Sequence, residues 1–201
     1  MQSQTIVSWD LGATKCTAGI VEYHPETHGL VCKKHATVKL STMQSLEDLI
    51  HALEAKLDFR MRDADAICIG AAGHYDGKQL YHTNAYPYPM QFANVAKLFK
   101  WPTFTVIHDY ASIVCATFTS YMEQPRNLKR LNACSVEPHG RRVALGLGTG
   151  LGLKDGVLLE NGDFWLGHNE IGHIGVISAP KMTANELKRH RDLMKFLRSK
   201  Q

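Results

Sequence analysis

Two short glycine-containing turns have the composition of phosphate-binding loops. The first is DLGATK at residues 10–15 and the second is GLGTGLG at residues 146–152. A tight turn with few side chains lets backbone N–H groups converge on one anion, threonine and lysine add donors, and a carboxylate such as Asp10 can hold a hydrated metal ion. Neither turn has the P-loop pattern GxxxxGK[ST] or the Rossmann pattern GxGxxG. Each alone is more simply a hairpin turn, but their repetition favours phosphate binding.

A histidine and an aspartate follow a short apolar run at residues 103–107. His108 and Asp109 also precede a candidate helix. In α/β sheets, ligand-binding groups gather at the carboxyl ends of strands, so a carboxylate here is a candidate for substrate binding. A helix N-cap is the plainer interpretation of Asp109. The two roles are compatible, because a capping carboxylate is held rigidly and still presents one oxygen.

Three further polar residues suit hydrogen bonding to hydroxyl groups. Glu170 and His173 lie in the segment HNEIGHIG at residues 168–175, where glycines argue against a helix interior and no second ExxH is present to complete a metal cage. A carboxylate and an imidazole on a loop suit a polyol, and Asn84 suits a sugar hydroxyl. The structural alternative for residues 168–175 is a surface loop with solvated polar groups. The structural alternative for Asn84 is a turn-forming asparagine.

The composition is that of an ordinary globular protein. The 201 residues are 44% hydrophobic and 21% charged, and no apolar run is long enough for a transmembrane helix or a signal peptide. We therefore expect a cytoplasmic protein without a membrane partner. The five cysteines form no CxxC pair, so neither disulfides nor a zinc site is expected. Basic residues concentrate in residues 181–201, where a solvated helix face is a simpler explanation than nucleic-acid binding.

The elements that must position these groups follow from hydrophobic periodicity. Ser45 and Asp48 form an acidic capping box before a helical apolar stripe. The order βββαβαβα predicts an α/β domain with a mixed sheet flanked by helices. The expected strands cover residues 5–9, 17–22, part of 30–40, 66–70 and 103–107, and the expected helices cover 45–62, 92–100 and 110–121.

The second half of the sequence begins to repeat the first. Residues 122–141 are polar and aperiodic, as in a linker, and a strand, glycine turn and strand then return. Thr183 and Glu186 form a capping box for a last helix. The sequence therefore predicts one domain over residues 1–121, the linker 122–141, and the beginning of a second, incomplete copy over residues 142–201.

Taken in order, the motifs resemble those of the glucokinase and sugar-kinase branch of the superfamily that contains actin and the heat-shock ATPases. Residues 10–15 resemble DxGGTxx, and residues 147–152 resemble GxGTGLG. Thr83-Asn84 is similar to the sugar-contacting TN, His108-Asp109-Tyr110 to ND-(F/Y), and residues 170–173 to ExGH. The resemblance extends from about residue 6 to residue 180, and five motifs in order are far more specific than one.

The resemblance implies ribonuclease-H-like domains and ATP-dependent phosphorylation of the 6-hydroxyl of a hexose, with glucose as the first candidate. It implies that Asp109 is the catalytic base. It also implies two groups of binding residues. Those for the sugar are Asn84, His108, Glu170 and His173; those for the nucleotide phosphates, with Mg²⁺ held by Asp10 through water, are Asp10, Gly12, Thr14, Lys15, Gly148, Thr149 and Gly150.

Departures from the family pattern keep alternatives open. Ala13 replaces the second glycine of the first motif, and His108 replaces an asparagine, which leaves the preferred hexose open. The family pattern continues beyond Gln201, so we expect an N-terminal portion that lacks the adenosine motif. The alternative is a non-catalytic or truncated sugar-binding regulator. The oligomeric state stays open, with a homodimer as one alternative, and we expect no nucleic-acid partner.

Overall fold

The amino-terminal part of the chain is built around a five-stranded mixed sheet. The computed structural model describes residues 2–27, 29–81, 86–147, 151–167 and 183–199. The sheet belongs to the first of two compact units, which span residues 1–112 and 113–201. The strands of this unit are β1 (Gln4–Leu11), β2 (Lys15–His24), β3 (Gly29–Lys39), β4 (Ala66–Ala71), β5 (His74–Tyr75), β6 (Leu80–Tyr81) and β7 (Thr103–His108).

The main sheet has the strand order β3-β2-β1-β4-β7. β1, β2 and β3 pair antiparallel, as consecutive hairpins do, whereas β4 pairs parallel with both β1 and β7. Parallel neighbours need a crossover connection, and helices supply it. The two crossovers contain α1 (Leu46–Leu57) and α2 (Phe92–Leu98), and α3 (Asp109–Ala116) follows β7. The predicted α/β mixed-sheet domain is therefore confirmed.

Helix α1 begins where its capping box predicts and ends earlier than expected. The hydroxyl of Ser45 accepts a hydrogen bond from the Asp48 N–H at 3.1 Å. The helix was expected to reach residue 62, but Asp58 adopts the left-handed conformation with φ 52° and ends it. The buried Glu54 carboxylate then accepts from the N–H of Met61 and from Arg60, both at 2.9 Å, which fixes the turn after the helix.

The core of this unit lies between α1, α2 and one face of the sheet. Alternate residues of β1 are buried there, and Trp9 packs edge-on against Phe92 and Trp101 with ring centroids 6.2 Å and 5.7 Å apart. Each fully buried leucine or isoleucine contributes about 1.5–3 kcal/mol relative to exposure. The apolar stripe of α1 supplies Leu46, Leu49, Ile50, Leu53 and Leu57 to this core.

The three parallel strands end at the same level. Leu11 of β1 pairs with Ala71 of β4, and Ala71 pairs with His108 of β7. The N–H of Ala72 continues the ladder by donating to the Leu11 carbonyl at 3.1 Å. The turn after β1 and the first residue of α3 therefore follow strands that finish side by side.

The second unit contains an antiparallel sheet of order β10-β9-β8. Arg141 pairs with the buried Asp155 carboxylate, and an ideal Cβ built at Gly156 lies only 2.9 Å from the Val114 side chain. The predicted capping box is present, because Thr183 N–H donates to Glu186 at 2.8 Å. The elements are α4 (Ser120–Glu123), β8 (Arg142–Leu147), β9 (Leu151–Leu158), β10 (Phe164–Leu166) and α5 (Ala184–Arg198).

Two parts of the fold differ from the sequence prediction. The helix expected over residues 110–121 is divided into α3 and α4, because the hydroxyls of Thr117 and Thr119 donate to carbonyls three residues earlier and close the chain into turns. The sequence predicted no strand between residues 71 and 102, but this part of the chain contains the short hairpin of β5 and β6. No helix among the described residues combines the length and the apolar character needed to span a membrane.

Candidate functional site

Asp10 projects from the end of β1 on the face opposite the core. Successive side chains of a strand point to opposite faces, so Trp9 and Leu11 are buried while Asp10 is exposed. The turn that follows Asp10 starts from β1, which is hydrogen-bonded to β2 on one side and to β4 on the other. The sequence therefore presents this carboxylate on a rigid element.

The turn between β1 and β2 is held by main-chain hydrogen bonds. Gly12 N–H donates to the Lys15 carbonyl at 3.0 Å, and Leu40 N–H donates to the Thr14 carbonyl at 3.0 Å. The residues Thr14 and Lys15 are exposed. Asp10, Gly12, Thr14 and Lys15 thus lie together at one exposed end of the hairpin, as a phosphate site requires.

The replacement of the second motif glycine by Ala13 causes no backbone strain. The described non-glycine residues with positive φ are Asp58 and Lys100, so Ala13 does not need a glycine conformation. An ideal Cβ at Gly12 lies 3.6 Å from the Lys15 carbonyl oxygen, which is ordinary van der Waals contact. The hairpin itself therefore does not require glycine at position 12, and the space there is free for the close approach of a ligand.

Asp109 is the first residue of α3, and its half-buried carboxylate contacts two neighbours. The Oδ1 atom accepts from Tyr110 N–H at 2.8 Å and lies 2.9 Å from Nδ1 of His108. Nδ1 is also 3.2 Å from the same Tyr110 nitrogen. The Tyr110 N–H therefore donates to both the Asp109 carboxylate and His108 Nδ1. The carboxylate is therefore held in one orientation.

Asp10 and Asp109 lie near one another over the same face of the sheet. Asp10 pairs with Gly70 of β4, and paired residues of neighbouring strands point to the same face. An ideal Cβ at Gly70 lies 3.7 Å from the Asp109 α-carbon. With strands ~4.8 Å apart, the two α-carbons are separated by roughly 10 Å or less. The structure thus brings Asp10 of the first motif close to Asp109 of the His108-Asp109-Tyr110 motif.

Tyr86, which is outside the predicted site residues, also reaches this edge of the sheet. Its hydroxyl donates to the Ala72 carbonyl at 2.7 Å. Burial raises the pKa of the Tyr86 phenol, and the negative charge of Asp109 raises this pKa further. The tyrosine therefore lies within the electrostatic reach of the candidate base. Its position next to the TN motif is the sequence signal that could have identified it.

Several predicted site residues lie outside the described part of the chain. These are the sugar-binding candidates Asn84, Glu170 and His173 and the phosphate-binding candidates Gly148, Thr149 and Gly150. Their roles stay predictions.

A magnesium ion fits the residues that are described. Among these residues no group of three or more His, Cys, Asp and Glu side chains could hold a metal by itself. Mg²⁺ does not need such a cage, because it keeps several waters and binds one or two carboxylates together with substrate phosphates. The exposed carboxylate of Asp10, next to the glycine turn, has the character of such a ligand.

The fold places the chain in the class of ribonuclease-H-like α/β proteins that includes the actin-like ATPases and sugar kinases. Within that class, a family model described as Glucokinase matches residues 7–199. The chain belongs to the glucokinase family.

Individual relatives agree with this assignment. The chain is 30% identical over 124 residues to a glucokinase from Saccharophagus degradans, and the match covers 61% of this chain and 37% of the relative. The crystal structure of a glucokinase from an Antarctic psychrotroph superposes with a TM-score of 0.71 at 19% identity, covering 96% of this chain and 57% of the other.

A second solved structure has the same fold. The glucokinase from Balamuthia mandrillaris, solved in complex with glucose, gives a TM-score of 0.64 at 19% identity, covering 94% of this chain and 54% of the other. The chain thus spans about half the length of the solved structures that it resembles.

Proposed function

We propose that this chain carries the catalytic base and the first phosphate loop of an ATP-dependent hexose kinase. The reaction transfers the γ-phosphoryl group of ATP to the 6-hydroxyl of glucose and yields ADP, glucose 6-phosphate and a proton. The observation that carries the proposal is the convergence of Asp10 and Asp109 over one face of the sheet, through Gly70. Membership of the glucokinase family supports the choice of reaction.

Asp109 accepts the proton of the attacking hydroxyl. Its carboxylate is half-buried and is oriented by Tyr110 N–H and by the contact with His108. General-base assistance of this kind contributes about 10²- to 10⁴-fold to a rate. Positioning of the two substrates and neutralisation of phosphate charge account for most of the remaining acceleration.

The β1–β2 hairpin holds the nucleotide phosphates. Gly12 leaves room for a phosphate oxygen against the main chain, and Thr14 and Lys15 offer a hydroxyl and an ammonium at the same exposed end. When bound, Mg²⁺ neutralises the charge that develops on the transferring phosphate. Asp10 would hold it through water.

The sugar is held by side chains from three other segments. Asn84, Glu170 and His173 bind its hydroxyls in this proposal, and His108 borders the attacking hydroxyl through its contact with Asp109. His108 stands where the family has asparagine. The preferred hexose therefore has to be measured.

The proposal divides the chain into two domains. We place the first domain at residues 1–121 and the start of the second at residues 142–201, after the linker 122–141. Gly148, Thr149 and Gly150 contribute the second phosphate loop. The proposal further places the protein in the cytoplasm and leaves a homodimer to be tested.

Coupled measurement of ADP release tests the proposal. The chain is incubated with Mg-ATP and glucose, with mannose and fructose as alternative acceptors and with glucose omitted as the blank. Glucose-dependent ADP release and formation of glucose 6-phosphate are expected. Glucose binding by calorimetry without turnover would instead support the regulator, and neither binding nor turnover would contradict the proposal.

A further inference from the structure

We infer that Tyr86 is a positioning residue for the sugar side of this site: its hydroxyl ties the segment that follows the TN motif to the main chain at the edge where Asp10 and Asp109 converge. The inference rests on the proposed function. It adds to the site a side chain that none of the five motifs contains.

The first observation is where the hydroxyl of Tyr86 bonds. It donates to the carbonyl of Ala72 at 2.7 Å. Ala72 directly follows β4, and its own N–H donates to the Leu11 carbonyl at 3.1 Å, next to Gly12. One continuous set of hydrogen bonds therefore links Tyr86 to the end of β1.

The second observation is that this hydroxyl is specifically partnered. Tyr88 lies two residues further along the same Tyr-Pro-Tyr-Pro segment and is more deeply buried, with 7% of its surface exposed. Its hydroxyl has no hydrogen-bond partner among the described residues. Burial of a phenol in this segment therefore does not by itself produce a hydrogen bond, and the bond of Tyr86 is a particular feature of its position.

The third observation is the relationship of Tyr86 to the candidate base. The charge of Asp109 acts on the Tyr86 phenol, and the aromatic ring packs against the core of the first unit. Core packing thus holds the ring, while the hydrogen bond to Ala72 holds the hydroxyl. Only Ala85 separates Tyr86 from Asn84 in the sequence. A tyrosine held in this way therefore anchors the chain two residues after Asn84.

This arrangement assigns to Tyr86 an effect on sugar affinity. Loss of the hydroxyl frees the segment without removing any group that receives a proton or binds a phosphate. The KM for glucose should therefore rise while kcat stays almost constant. A residue with a general structural role would lower kcat, raise the KM for ATP and reduce the fraction of folded protein together.

The test compares Tyr86→Phe with Tyr88→Phe in the whole chain. Both substitutions keep the ring, so both proteins should fold, which circular dichroism and urea unfolding will check. For Tyr86→Phe we expect a KM for glucose raised about 3- to 10-fold, the range for one neutral hydrogen bond, with kcat and the KM for ATP within about 2-fold. Tyr88→Phe should match the wild type in all three constants.

A double-mutant cycle with Asn84→Ala measures whether the effect of Tyr86→Phe on the KM for glucose depends on Asn84. A purely structural role of Tyr86 would not produce this dependence. If Tyr86 acts through the segment that carries Asn84, the effect of Tyr86→Phe should shrink to less than about 2-fold when Asn84 is already alanine. Equal KM values for Tyr86→Phe and wild type, or full additivity in the cycle, would overturn the inference while leaving the proposed function intact. Absence of glucose binding by the wild type would overturn both.

Discussion

The Nδ1 atom of His108 lies 2.9 Å from Oδ1 of Asp109, where β7 passes into α3. The family motif has asparagine before the aspartate, so this imidazole is a feature of the present chain. It acts on the orientation of the candidate base, because it shares one carboxylate oxygen with Tyr110 N–H.

Replacing His108 should separate orientation of the base from contact with the sugar. His108→Ala removes the contact with the charged Asp109 carboxylate, and we expect kcat to fall about 10- to 100-fold. His108→Asn, which restores the family residue, should lose less. Steady-state kinetics with glucose and mannose measure both effects. An unchanged kcat with a raised KM for glucose would show that His108 binds the sugar and does not orient Asp109.

The Gly12→Ala substitution should impair nucleotide binding while leaving the fold intact. The added Cβ meets the Lys15 carbonyl at an ordinary 3.6 Å, so the free energy of unfolding should change by less than about 1 kcal/mol. The methyl group occupies the space assigned to a phosphate oxygen, and we expect a KM for ATP raised at least about 10-fold, as for a lost charge-assisted hydrogen bond.

Ala13→Gly is the matched control for the Gly12 substitution. It restores the second glycine of the family motif at an exposed position and should leave the KM for ATP within about 2-fold of the wild type, because no contact is lost. Equal KM values for ATP in Gly12→Ala and Ala13→Gly would remove the phosphate role of this turn.

Gly70 provides a second test of the local geometry, because it sets the distance between β4 and the start of α3. An ideal Cβ there lies 3.3 Å from Ser112 Oγ and 3.5 Å from the Trp9 carbonyl. Gly70→Ala should therefore destabilise the fold by about 1–3 kcal/mol and displace Asp109, with a fall in kcat. Removal of the nearest atom in Gly70→Ala/Ser112→Ala should recover part of both losses. Urea unfolding and kcat are measured on the same samples, and no recovery in the double variant would contradict the contact.

Alkaline titration tests the burial of Tyr88. Burial raises the pKa of the Tyr88 phenol from its ordinary value of 10.0 to about 12. A pKa raised in the folded state means that stability is complete below the unfolded value and is lost as pH rises from about 10 towards 12. Absorbance at alkaline pH should show one fewer late-ionising phenol in Tyr88→Phe. Stability that is constant between pH 9 and pH 11 would contradict the burial.

The sequence patterns predict the sheet and the first helix well, because these depend on local periodicity and on caps that lie within a few residues. The alternation of Val7, Trp9 and Leu11 and the pairing of Ser45 with Asp48 are both visible in the sequence. The early end of α1 could not be predicted in the same way. It depends on Glu54, a helix residue whose buried carboxylate bonds to the backbone of Met61.

The candidate site is predictable where it consists of motif residues and not where it depends on distant contacts. Asp10 is predicted from its place in the glycine turn, and Asp109 is predicted from its place at the end of a strand. Their approach through Gly70 and the bond from Tyr86 to Ala72 are contacts between segments that only the folded sheet brings together. The sequence Ala85-Tyr86-Pro87 gives no sign that the hydroxyl of this tyrosine has a main-chain partner.

Asp109→Asn is the substitution that tests the central claim most directly. The amide keeps an oxygen that can accept from Tyr110 N–H, so the start of α3 should remain intact, but it cannot accept the hydroxyl proton. We predict that kcat for glucose-dependent ADP release falls about 10²- to 10⁴-fold while the KM values for glucose and ATP change little. A variant that turns over glucose at the wild-type rate would show that Asp109 is not the base.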